Sequence, residues 1–122
     1  METPLTVLKK AMLAVLKEMV VAHWKQERRK VINNFKNGLA LCEGEGVNIH
    51  GTRCAFCIVY GANDCAGCPI EVKTGLTDCD DTPYYNVIAW LRVAYYYEHS
   101  TRASYEQGIE LFNKQIEFLE SL

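Results

Sequence analysis

Asp80-Asp81-Thr82-Pro83-Tyr84-Tyr85-Asn86-Val87-Ile88, running on through Leu91 to Tyr95-Tyr96-Tyr97, is the stretch that decides the fold class. Acids, then a capping threonine, then proline at the first helical position make a helix start. The macrodipole favours the carboxylates, and proline's missing N–H costs nothing there. Val87, Ile88, Leu91 and Tyr95 fall on one face at helical spacing, which predicts a helix from Pro83 to about His99.

Working outward, Ser104-Tyr105-Glu106-Gln107 has the capping-box pattern and opens a last helix, unless Ser100 or Thr101 caps it earlier. Ile109, Phe112, Ile116 and Leu119 form its apolar stripe. At the other end of the chain, Thr3-Pro4 reads as a cap and first helical residue. Leu5, Leu8, Met12, Val15, Met19 and Ala22 then recur every three or four residues. Val31, Ile32, Phe35 and Leu39 continue a helical period to a stop at Gly38. The spacing allows one helix over 4–37 or two joined near Trp24.

The 122 residues, 49% hydrophobic and 23% charged, fit one globular domain over 1–122. A net charge of −2 excludes a chain that is basic throughout. The charge is uneven: eight Lys and Arg against three acids over 1–41 give +5, two against seven over 42–82 give −5, and three against five over 83–122 give −2. The chain thus divides into a basic helical segment, an acidic middle rich in Cys and Gly, and two C-terminal helices. The expected fold class is mainly α, a small helical domain with a zinc-organised Cys/Gly-rich loop. No run of 18 apolar residues occurs, and Lys9, Lys10, Lys17 and Glu18 break the N-terminal apolar stretch, so neither a membrane span nor a signal peptide is expected. A cytoplasmic location follows as an expectation.

Six cysteines in such a chain need an explanation. Cys54 and Cys57 are two residues apart, as are Cys65 and Cys68, with seven residues between the pairs. Each pair lets two thiolates of one turn reach a single tetrahedral ion, and two pairs complete a four-thiolate Zn²⁺ site. Cys79, separated from Cys68 by ten residues and just ahead of Pro83, competes for a place, so five cysteines contend for four positions. Disulfides, an iron–sulfur cluster and buried thiols are the alternatives; a reducing compartment disfavours the first. Cys42 stands apart. Four thiolates close the coordination sphere, so the zinc is structural. It would organise a loop of about 25 residues that no hydrophobic core could fix, where sites in peptides contribute roughly 10–16 kcal/mol.

Other features have plainer readings. His50 reads as a loop histidine, His23 as a histidine at a core edge, and His99 as a helix-end charge. Asp78, Asp80 and Asp81 read as helix-capping acids. Lys25, Arg28, Arg29 and Lys30, beside Trp24, could contact phosphate and stack a base, or form a solvated helix face. Tyr95, Tyr96 and Tyr97 are about 100° apart on a helix, so at least one faces solvent and is a candidate partner-binding residue. No Walker-type loop, dinucleotide fingerprint, nucleophile elbow or zinc-protease motif is present.

His23-Trp24, Cys54-Ala55-Phe56-Cys57 with Tyr60, Cys65-Ala66-Gly67-Cys68-Pro69-Ile70, Gly75, Cys79-Asp80-Asp81-Thr82-Pro83-Tyr84 and the closing Glu117-Phe118-Leu119 together resemble a group of small cysteine-rich bacteriophage proteins to which no function is assigned. The likeness runs from about residue 20 onward and is most specific over 54–84. Phe56 stands where Leu is more usual, and Cys42 falls outside the pattern. The resemblance implies a phage-encoded protein acting in the bacterial cytoplasm, with Cys79 as much a part of the site as Cys65. It implies no catalytic activity.

The expected function is therefore non-catalytic: a zinc-stabilised phage accessory protein that binds a macromolecular partner, foremost a host protein. The alternatives are a nucleic-acid binder using Lys25, Arg28, Arg29 and Lys30, and a thiol redox enzyme using Cys79.

Overall fold

A computed structural model describes residues 2–39, 47, 68–74, 82–97 and 102–122, with side chains at all of these except 71, 74 and 94–97. Helix α1 spans Pro4–Lys36, α2 Pro69–Thr74, α3 Pro83–Tyr97 and α4 Arg102–Glu120; no strand occurs among the described residues. The mainly helical fold class is thereby established, while the zinc-organised loop lies largely outside the described residues. No helix among the described residues is long and apolar enough to cross a membrane.

Helix α1 is one continuous helix through Trp24. Thr3 caps it, its hydroxyl accepting the Thr6 N–H at 3.2 Å, and Pro4 opens it. At its other end Gly38 adopts φ 68°, where a side chain would be strained. The Gly38 N–H donates to the Phe35 carbonyl and the Leu39 N–H to that of Asn34, the paired bonds of a Schellman stop.

Helices α1 and α4 run antiparallel. Phe35 stacks on Tyr105 with ring centroids 4.0 Å apart, Arg28 donates to the Asn113 side chain at 2.7 Å, Lys25 faces Glu120, and Lys17 donates to the Leu122 carbonyl. The core lies between α1, α3 and α4. Trp24 meets the Phe112 ring edge-on at 5.6 Å, and Trp90 meets Phe112 at 6.4 Å from the other side. Such ring pairs contribute about 0.5–1.5 kcal/mol each beyond the apolar area they bury. Val20, Val87 and Leu119 are fully buried around them.

Two expectations require correction. The stripe of Leu5, Leu8, Met12, Val15, Met19 and Ala22 is not the buried face of α1; its five large members are 54–59% exposed. The buried face is Val20, Trp24, Glu27, Val31 and Asn34. The physical reason is rotation about the helix axis: Met19 and Ala22 are exposed beside the buried Val20 and Trp24, so the stripe points away from α4 even where α4 covers α1, and the first turns extend past the end of α4 opposite Lys17. The second correction is a choice between the two starts the sequence allows: the last helix begins at Arg102, the earlier start, and not at Ser104. Ser104 lies within α4, and its carbonyl accepts the Trp90 indole N–H at 3.0 Å.

Candidate functional site

The acidic middle segment meets the helical core at four described positions. Val47 packs against the core, Cys68 and Ile70 are members of it, and Thr82 is buried at the head of α3. Cys68 immediately precedes Pro69, and its carbonyl accepts the Val72 N–H at 2.9 Å, which closes the first turn of α2. Helix α2 is fastened to the end of α4 by Lys73, whose ammonium donates to the Ser121 carbonyl and lies 5.6 Å from the Phe118 ring centre. Thr82 caps α3 as the sequence predicts, its hydroxyl accepting the Tyr84 N–H at 3.3 Å.

Of the five candidate zinc ligands, only Cys68 is among the described residues, and it is 5% exposed. Cys54, Cys57, Cys65 and Cys79 lie outside them, as do Cys42, His50, His99, Asp78, Asp80 and Asp81. Among the described residues no three His, Cys, Asp or Glu side chains cluster closely enough to hold a metal. Cys68 belongs to the core wall, and burial penalises a charged thiolate there unless a cation accompanies it, so the position suits a neutral thiol as well as a metal-bound one.

Three members of the basic cluster are engaged within the fold. Lys25 lies 3.8 Å from Glu120, Arg28 bonds to Asn113, and Lys30 lies 3.0 Å from the Glu27 carboxylate. Arg29 is exposed. At 100° per residue Lys25, Arg28 and Arg29 share one face of α1 and Lys30 stands off it.

Sequence reasoning missed Glu27. Its side chain is 3% exposed, with Lys30 one turn on and the His23 Nδ1 4.0 Å away one turn back. The His23 Nε2 and the Gln115 Oε1 are buried with no hydrogen-bond partner. A polar run of His23, Glu27, Lys30 and Asn34 at helical spacing could have pointed to it, but an acid amid charged neighbours reads most simply as solvated.

The three tyrosines occupy the last turns of α3, and their side chains are outside the described set. The earlier turns of that helix present Tyr85, 51% exposed, Arg92, and Val93, 48% exposed, on the side away from Val87 and Leu91. Tyr84 instead turns inward, its ring 5.9 Å from that of Trp24.

No family model, curated protein or solved structure matches the chain.

Proposed function

We propose that this chain is a non-catalytic, zinc-stabilised binding protein whose α3 outer face meets a protein partner, a host protein if the chain is phage-encoded. Four of Cys54, Cys57, Cys65, Cys68 and Cys79 hold the zinc. Bound by four thiolates, the ion supplies rigidity and no open coordination position. The chain's own residues do the binding. The reading rests above all on the exposed face of α3. Tyr85 and Arg92 are of the residue types that concentrate in interface cores, and Val93 beside them adds exposed apolar area. The opposite face of the same helix is sealed by Val87, Trp90 and Leu91, so α3 holds the outer face rigidly.

The test compares wild type with Tyr85→Ala and Val93→Ser as baits in bacterial extract, with retained proteins identified by mass spectrometry. One protein retained by wild type and lost from both variants, at unchanged melting temperature, is the expected result. Equal retention by all three baits would contradict the reading.

A further inference from the structure

Helix α1 overhangs the rest of the molecule. The helical body covers it from Leu16 onward, and every residue from Glu2 to Val15 is exposed. An isolated stretch of this length is only marginally helical in water, and this one presents four large apolar side chains on one stripe, which Met19 continues.

The stripe has a particular geometry. Leu5, Leu8, Met12, Val15, Met19 and Ala22 are spaced three, four, three, four and three residues apart. That is the 3.5-residue repeat of a coiled-coil seam, which fits another helix. Aligned antiparallel on a second copy of itself, the stripe is self-complementary: Leu5 meets Ala22, Leu8 meets Met19, and Met12 meets Val15. The pairing brings no like charges together at its flanks, since Lys9 stands across from Leu16 and Glu18 from Ala11. Antiparallel macrodipoles add to the favourable arrangement. Leu5 of the second copy arrives beside a groove where Ala14, Val21 and Ala22 leave room for it and Lys17, Glu18, Lys25 and Glu120 form a charged rim. Covering the seam on both copies removes on the order of 1,000 Å² from water, the lower bound for a specific interface.

We propose that residues 4–22 of α1 pair antiparallel with the same residues of a second copy, forming a two-helix dimer through Leu5, Leu8, Met12, Val15, Met19 and Ala22. The small area predicts a dimer that dissociates in the micromolar range. It leaves the outer face of α3 free, so it stands or falls independently of the partner reading.

Sedimentation velocity of the full chain over a concentration series tests the proposal. Wild type shifts from monomer to dimer with concentration, and Met12→Glu stays monomeric at unchanged dilute melting temperature. Leu8→Glu and Met19→Lys are each monomeric alone and associate when mixed, because antiparallel pairing sets position 8 against position 19. A wild type that is monomeric throughout overturns the proposal, as does a dimer indifferent to Met12→Glu. Failure of the mixed variants to associate overturns the antiparallel register. Binding to anionic phospholipid vesicles by a chain that never dimerises assigns the stripe to a membrane surface and also overturns it.

Discussion

Gly108 of α4 lies directly against the indole of Trp90 in α3: a Cβ at 108 would stand 2.3 Å from the ring's Cζ2 and 2.5 Å from its Cε2. No real contact is that short, so the missing side chain sets how closely α3 approaches α4. The same ring donates to the Ser104 carbonyl one turn earlier, which fixes its position. Gly108→Ala is expected to destabilise the fold by about 1–3 kcal/mol through overpacking. This loss outweighs the roughly 1 kcal/mol that alanine gains over glycine in a helix interior. Urea unfolding measures it, and an unchanged or raised midpoint would contradict the packing described.

Phe112 is completely buried between Trp24 and Trp90. Truncation to Ala should cost about 3–5 kcal/mol. Leu8, which is equally apolar and 57% exposed, should change monomer stability by less than about 0.5 kcal/mol when truncated. The pair of variants, unfolded at low concentration, separates the body of the molecule from the overhang. Comparable losses in both would place Leu8 in the core.

Lys30 stands beside the buried Glu27 carboxylate. Replacing it with Met keeps the aliphatic stem and removes the charge, leaving the carboxylate with less compensation. A loss of about 1–3 kcal/mol is expected. Exchanging the exposed Arg29 for Met on the same helix should be close to neutral. Equal effects from both would mean that Lys30 is not matched to Glu27.

Nucleic-acid binding would draw on Lys25, Arg28, Arg29 and Lys30, three of which are engaged within the fold. Fluorescence anisotropy with a labelled oligonucleotide at low salt is expected to show no association. Binding that falls steeply with salt, with a slope reduced by Arg28→Gln and Arg29→Gln, would transfer the function to this helix.

The starts of α1 and α3 were legible because they are local. Thr3-Pro4 and Thr82-Pro83 cap as their sequences dictate, and Gly38 stops α1 through its own backbone. The face of α1 that is buried was not legible. Two stripes run along this helix, and the apolar one projects while the one containing Glu27 and Asn34 is covered. Periodicity reports that a face exists; tertiary partners such as Phe112 on α4 decide which face is covered. Gly108 gave no signal for the same reason, since its meaning depends on Trp90 eighteen residues earlier. For the candidate site, cysteine spacing gives five candidate ligands, and of these the structure adds the burial of Cys68 alone.

The central claim is that a closed four-thiolate zinc site organises the acidic middle segment. The most direct measurement is elemental analysis of the reduced, freshly purified protein, combined with a thiol count before and after chelation. The account predicts one zinc per chain, with four additional thiols becoming reactive when the metal is removed. No metal, iron with visible absorbance, or a Cys79 thiol that alkylates rapidly in the folded protein while the metal stays unbound would contradict it, and would make the cysteines the chemistry of the protein instead of its scaffold.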